Sequence, residues 1–519
     1  MSKKENNILL IILISFSVYC ALTVGETWDQ KDNILRGKIT LDYLFSLGRV
    51  NENIFARHYY SPMYWSLLYF FTELFPKNYE IQVVNLINLF FSLCLIFGVK
   101  KLCKELFNDK VAKIIFVILF FYPIFFGHVT FNTKDTILAF GHIWITYLII
   151  RYLKKQCIES KRKKYIFYLG LLGALCTGIQ LLFLATLVPF FLFLIAEILV
   201  FKKIIDSKFN KRKFFFDLIK SFIFFYLILV FFWIDTHPNI FILPYQFIIE
   251  IFSESFWTGW YYNLLNGHYF ISYEAPKTYF LIYIFYKSPE YFLISYLFFV
   301  VFYLISNKFF KKEFAFFNYK LLLVIGLLLY PSIILYISPF PIYDGIRLFY
   351  WSIPYYCIIP GLIIYYFLEN FNYLSSKICL IIIFIAATFL LYNFVTITPY
   401  HYAYSNIFAG KNENKFENDY WGSSIRELIK NSKFNDDEII KISSCGINPN
   451  IAKRYFIKKG YSNIELAHPH ESKYIIMTNR TMLDKKTGNI SNCFNVFKGE
   501  NIFEVRRNNL LLSTIRKIN

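Results

Sequence analysis

Long apolar runs separated by short basic loops set the pattern of this chain. Candidate spans fall at 8–24, 81–99, 111–127, 136–152, 165–178, 180–201, 215–234, 290–306, 321–338, 350–367 and 378–397. Each approaches the ~20 apolar residues that cross ~30 Å of hydrocarbon, which predicts an all-α polytopic membrane bundle of about 11 transmembrane helices. The run Ile8–Val24 follows Lys3 and Lys4 as a signal peptide would. It is long for such a segment and no A-x-A-like site follows, so it reads as an uncleaved first span.

The basic residues alternate from side to side. With Lys3 and Lys4 inside, the even-numbered connections carry Lys100, Lys101, Lys104, Lys110 and Lys113, then Arg151, Lys154, Lys155, Lys161 and Lys164. Lys202, Lys203, Lys208, Lys211 and Lys213 follow the sixth span, and Lys308, Lys311 and Lys312 the eighth. This is the positive-inside signature. It requires 165–201 to cross twice and 59–76 not to cross, leaving Tyr59, Tyr60, Tyr64 and Trp65 at headgroup depth. The external parts are then a long first loop (25–80), turns at 127–135 and 339–349, a loop at 235–289, and the tail. The reading is an integral membrane protein of a bacterial inner (plasma) membrane, with a cytoplasmic N-terminus, a membrane domain at 1–397 and an external, periplasmic C-terminal domain at 398–519.

Composition removes other classes. The chain is 56% hydrophobic and 17% charged, with mean hydropathy +0.43, too little polar surface for a soluble protein of this length. A net charge of +20 would suggest nucleic acid in a soluble protein, but here the cations sit in the loops and face membrane lipids, so no nucleic-acid partner is expected. The nine cysteines show no metal-type spacing. Cys94, Cys176 and Cys357 lie in apolar runs, whereas Cys445 and Cys493 fall in the tail, where an oxidising compartment permits a disulfide that sequence alone leaves open. The spans show neither internal repeats nor a pathway of charged residues, which places a lipid-linked-glycan flippase or transporter second to an enzyme working at the membrane surface.

Four polar constellations gather on the external side. The first loop opens GETWDQKDNILRG, with Glu26, Asp29 and Asp32 just outside the first span, where a partly desolvated carboxylate suits a general base; the alternative is a solvated acidic loop. HVTFNTKDTILAF (128–140) sets Lys134 and Asp135 at an outward-facing helix N-terminus, a natural phosphate site; the alternative is that Asn132 or Thr133 merely caps the helix and Lys134 pairs with Asp135. SPFPIYDGIRLFYWSIP (338–354) places Asp344 and Arg347 in a turn. The planar fork of Arg347 suits a phosphodiester, unless it pairs with Asp344 to pin that turn. TPYHYAYSNIFAG and FENDYWGSSIRELIKN follow the last span, with Ser424 and Glu427 in a capping-box pattern and Asp419, Tyr420 and Trp421 ahead of it, as interface anchors or as substrate contacts.

These blocks resemble bacterial members of the GT-C glycosyltransferase superfamily, in the group related to protein O-mannosyltransferases and lipid A aminoarabinose transferases. WDQKDNILRG resembles the WDE-type first-loop motif, GHVTFNTKDTILAF the H-x-x-F-N-P-K-D motif, and IYDGIRLFYWSIP the Y-D-G-x-R-x-F block. TPYHYAYSNIFAG with NDYWGSSIRELI resembles HPY-x-x-x-Y-x-N followed by DYWG-x-S-x-R-E, and APKTYFLIYIFYKSPEYFLI a Y-x-P…K-T-P segment. The resemblance implies a glycosyltransferase using a sugar on a polyprenyl phosphate and an external glycan, lipid or protein acceptor. Asp29 would be the catalytic base, and Lys134 and Arg347 would bind the donor phosphate. Glu26, His128, Asn132, Asp135, Tyr343, Asp344, His401, Asp419, Tyr420 and Trp421 would support them. No cofactor is implied; a divalent cation would be compatible, but nothing indicates one. Gln30 stands where the family has a second acid, which argues against a paired-carboxylate or metal role for this loop. Thr133, Ile137–Leu138 and Thr398 also depart from the family pattern.

The tail beyond 434 carries short β-like runs (EIIKISS, KYIIMTN, CFNVFKG, NIFEVRR) that predict a small α/β or α+β domain with an acceptor-binding role. Asn479-Arg-Thr and Asn489-Ile-Ser are glycosylation sequons.

Overall fold

Every predicted apolar run is helical, and the breaks within the runs have local causes. The computed structural model describes residues 3–49, 60–251, 259–337, 340–410, 412–434, 439–461 and 463–518; Tyr59 lies outside the described residues. Among the described residues seven helices are long and apolar enough to cross a membrane: Lys77–Leu106, Asp135–Lys155, Lys211–Phe232, Glu290–Glu313, Phe317–Ile337, Arg347–Glu369 and Leu374–Thr396. Asn7–Thr23 and Val188–Phe201 are shorter apolar helices. The run 111–127 stops as a helix at Phe120 and resumes over Pro123–Phe126. Pro123 has no N–H to donate and drives Tyr122 out of the helical region, to ψ 103°. The run 165–201 divides at Gln180, which is extended and ends the helix Glu159–Ile179.

The first loop is built rather than loose. It contains the helices Gln30–Phe45 and Met63–Thr72, packed so closely that a Cβ on Gly37 would lie 2.1 Å from the Trp65 carbonyl oxygen. Met63–Thr72 has ten residues, about 15 Å, half of a hydrocarbon crossing. Contrary to expectation, three acids do occur inside the apolar runs. All are buried and locally spent, Glu197 accepting from the Ile205 N–H (3.0 Å), Asp217 from the Tyr152 hydroxyl (2.7 Å), with Arg162 at 3.3 Å, and Glu290 from the Ile407 N–H (2.9 Å). None forms part of a charged pathway.

After the last helix the chain does not leave the bundle at once. Tyr400, Tyr402, Tyr404, Tyr420 and Trp421 are buried in the same apolar core as Phe125, Phe126 and Phe131. A Cβ on Gly127 would meet the Tyr402 backbone nitrogen at 2.1 Å, so this segment and the helix end touch backbone to backbone. A small hairpin, β1 (Tyr262–Leu265) with β2 (His268–Ile271), lies in the 235–289 loop.

The tail forms the predicted sheet domain. Its strands are β3 (Ile440–Cys445), β4 (Ile464–Leu466), β5 (Tyr474–Thr478), β6 (Thr481–Leu483), β7 (Ile490–Asn492), β8 (Glu500–Arg507) and β9 (Leu510–Lys517). Five of them form one mixed sheet in the order β4-β3-β5-β9-β8, parallel at β4-β3-β5 and antiparallel from β5 onward. β6 pairs with β7 separately. CFNVFKG is not a strand: the Asn492 side chain caps a short helix, Cys493–Val496, by accepting from the Asn495 N–H. Cys493 is tied to Cys445 by a disulfide that sits in an apolar cluster with Ile475, Met477 and Leu511.

Candidate active site

Asn132 organises the turn that precedes the helix Asp135–Lys155. Its Oδ1 accepts from the backbone N–H groups of Lys134 (3.2 Å) and Asp135 (2.9 Å), so the helix starts at a fixed point. That choice leaves Nδ2 as donor, to the Asp135 carboxylate (3.0 Å) and to His128 Nδ1 (3.1 Å). His128 must then carry its proton on Nε2, 3.3 Å from the Tyr420 hydroxyl. Burial, with Arg347 nearby, pushes His128 down to about 3, so the ring is neutral near pH 7. One amide thereby fixes a helix end, a carboxylate and an imidazole.

Arg347 is buried opposite this turn. Its Nη1 donates to Asp344 (2.9 Å), its Nε stands 3.6 Å from Asp135, and its guanidinium lies between the rings of Tyr343 (5.0 Å) and Trp421 (5.1 Å). Asp344 adopts φ +56°, followed by Gly345 at +67°, so the D-G pair makes a left-handed turn that aims both carboxylate oxygens inward. The second oxygen accepts from Arg480 of the tail (2.6 Å). Arg480 is 4% exposed, also donates to the Tyr420 carbonyl, and lies over the rings of Trp260 (4.2 Å) and Trp28 (5.1 Å). It therefore joins the first loop, the 235–289 loop, the 339–349 turn and the tail. Sequence reasoning missed it, since N-R-T there reads as a sequon in a surface turn. Beside it, burial pushes Glu417 up to about 7 against the pull of Arg480, with one oxygen taking the Thr481 N–H (2.7 Å).

Lys134 is the cation left over. Among the described residues no carboxylate lies within ion-pairing distance of it, and its ammonium stands 4.9 Å from the Tyr60 ring centroid. Burial works against its charge, yet Tyr60, Tyr343 and Asp135 outweigh that and hold its pKa above the ordinary lysine value. Of the two readings of Lys134, pairing with Asp135 is not what forms, because Asp135 turns to Asn132 and Arg347. Asp135 and Asp344 are thus committed to Asn132 and the two arginines, and Lys134 is left without a carboxylate at ion-pairing distance among the described residues.

Asp29 stands at the start of the helix Gln30–Phe45 without capping it by its side chain, and is exposed. It lies within electrostatic range of Arg347, Asp135 and Asp32. Desolvation and then Asp29 raise the Asp32 carboxyl. Gln30, in contrast, is buried and points away, its amide donating to Asn85 (2.9 Å).

Other candidates are placed elsewhere. Glu26 accepts from Arg454 (Nε, 3.1 Å) and ties the first loop to the tail. Asp419 is spent on the helix Ile425–Asn431, accepting from the Ser423 and Ser424 N–H groups (2.9 Å each) and the Tyr402 hydroxyl. The expected Ser424–Glu427 capping box does not form: Ser424 donates to Asp419 instead, and Glu427 takes the Tyr400 hydroxyl and Arg507. His401 sits among Phe16, Phe126 and Phe394, with no contact to the Lys134–Arg347 cluster. Asn479 is buried, its amide donating to the carbonyls of Glu413 and Phe416, so that sequon is closed. Among the described residues no group of three or more His, Cys, Asp or Glu could hold a metal ion.

Two crystal structures of ArnT from Cupriavidus metallidurans match the chain over 99% of its length and 98% of theirs. The apo state matches at 12% identity with a TM-score of 0.52, and the form bound to undecaprenyl phosphate at 10% with 0.50. The apo Archaeoglobus fulgidus oligosaccharyltransferase matches at 11% identity with a TM-score of 0.44, over 92% of this chain and 70% of that one. No family model matches the chain, and no curated protein matches it in sequence. The chain has the fold of ArnT, and among its described residues seven helices are long and apolar enough to cross a membrane.

Proposed function

We propose that this protein is a membrane glycosyltransferase that moves a sugar from a polyprenyl-phosphate donor to an external glycan, lipid or protein acceptor. The observation that carries this reading is the Lys134 ammonium, without a carboxylate partner among the described residues, in electrostatic range of Arg347, which in turn senses the exposed Asp29 carboxylate. ArnT, which shares the fold, is seen with undecaprenyl phosphate bound. Asp29 takes the proton of the acceptor hydroxyl. The freed oxygen attacks the anomeric carbon with inversion, and the bond from that carbon to the lipid phosphate breaks. Negative charge grows on the leaving phosphate, where Lys134 stabilises it and Arg347, held by Asp344 and Asp135, presents a fixed dipole and donor. The Cys445–Cys493 disulfide supports placing the tail, and with it this site, in an oxidising external compartment.

Purified protein is incubated with polyprenyl-phosphate sugars and a membrane extract as acceptor. Lys134→Met should lose about 100-fold in turnover, the scale for deleting one preorganised donor. Lys134 is the preferred site because removing Arg347 would also strand two buried acids. Asp29→Asn should be essentially inactive. Equal turnover by Asp29→Asn would sink the assignment of the base, and no transfer from any lipid-linked donor would favour a transporter.

A further inference from the structure

A second cationic site lies where the sheet domain meets the membrane helices, and it shares no lining residue with the cluster around Lys134. It is a cavity of about 280 Å³ lined by Arg426, Lys430, Lys458 and Lys459, together with Tyr455 and Gln82. Among the described residues no carboxylate lines it. Two acids, Glu26 and Glu80, are within electrostatic reach of Lys458, but each is already committed, to Arg454 and to Lys31 (2.8 Å). Among the described residues none of the four cations has an acidic partner. Three of them are oriented by neutral carbonyls: Arg426 by Leu22 (2.6 Å), Lys458 by Asn78 (3.3 Å) and Lys459 by Ile429 (2.9 Å). Carbonyls position these side chains without cancelling their charge, so the cavity keeps a surplus that a phosphate would offset.

The depth of the cavity names the source of the anion. Arg426 reaches the last carbonyls of the first apolar helix, at Leu22, Thr23 and Val24, while Gln82 is in the first turns of the helix Glu80–Leu106. Two membrane helices end at its wall, which is the level of lipid headgroups. Its volume exceeds several waters at ~30 Å³ each, enough for a phosphate with part of its alcohol. We infer that this cavity binds the phosphate of an anionic lipid headgroup, at a site separate from the candidate active site.

The test uses delipidated full-length protein in a neutral detergent, with retained ligand followed by native mass spectrometry during titration. The probes are phosphatidic acid, phosphatidylcholine and inorganic phosphate. Phosphatidic acid should bind, and Lys430→Gln/Lys458→Gln should weaken it about tenfold, as expected for losing charge-assisted contacts. Lys485→Gln/Lys486→Gln removes the same charge from an exposed turn and should bind as the parent does. Lys430→Arg keeps the charge and should retain binding, which separates a lost site from a lost fold. Equal weakening by both double variants, or none by either, would overturn the site. Inorganic phosphate binding as tightly as phosphatidic acid would overturn the lipid assignment.

Discussion

Arg480→Met tests whether the tail is part of the candidate active site or merely rests on it. The substitution keeps length and apolar bulk but removes a guanidinium that is 4% exposed, pairs with Asp344 at 2.6 Å and lies over two indole rings. Breaking a buried ion pair from one side costs about 3–5 kcal/mol, because the remaining charge is stranded. Asp344 still has Arg347, which puts the expected loss near 3 kcal/mol. Methionine restores part of the contact with Trp28 and Trp260, so the ring term adds little. Equilibrium unfolding in mixed micelles, followed by tryptophan fluorescence, measures the loss. A double-mutant cycle with Asp344→Asn isolates the pair, and the two changes together should cost clearly less than their sum. If the costs add to within about 0.5 kcal/mol, the two side chains are not coupled and the tail is a passenger. In the proposed reaction, the same variant leaves one Asp344 oxygen uncompensated near the phosphate position and should also weaken donor binding.

Two further outcomes follow from burial and packing. Burial pushes both His128 and His401 down to about 3, so below the unfolded value of about 6.5 the unfolded chain binds more protons and stability drops as the pH is lowered. His401→Phe should remove one histidine's share of that dependence, about 2 kcal/mol in all between pH 7 and pH 5, in unfolding measured over that range; an unchanged dependence would mean that His401 is not held neutral. Gly127→Ala sets a Cβ 2.1 Å from a backbone nitrogen that cannot yield and should destabilise by about 1–3 kcal/mol, whereas Gly326→Ala, with open space around it, should be silent in the same unfolding assay.

The bundle was legible because hydrocarbon imposes a length on each apolar run, whereas the break at Pro123 lay hidden inside the span 111–127. The turn around Asn132 was legible as well, since N-T-K-D before an apolar run is a local capping signal. Partner choice was not. Whether Lys134 took Asp135, or Arg347 took Asp344, depended on which carboxylate another segment had already claimed. Arg347 did take Asp344, while Lys134 did not take Asp135. Arg480 lies 133 residues beyond Arg347 in the chain, and no local pattern distinguishes it from an exposed turn arginine. CFNVFKG misled for a similar reason: its alternation suits a strand, but Asn492 caps a helical turn there and a disulfide holds it.

The position of β9 has a consequence for how the molecule comes into being. The last strand of the chain lies inside the sheet, between β5 and β8, and β5 ends two residues before Arg480. A nascent chain that has threaded all of its membrane helices still lacks the neighbour that fixes β5, and so lacks a settled Arg480. The cluster around Arg347 is therefore completed only once β9 has been made, more than a hundred residues after the last membrane helix, Leu374–Thr396. A chain cut before β9 would lack the strand that holds β5, and with it the placement of Arg480 against Asp344.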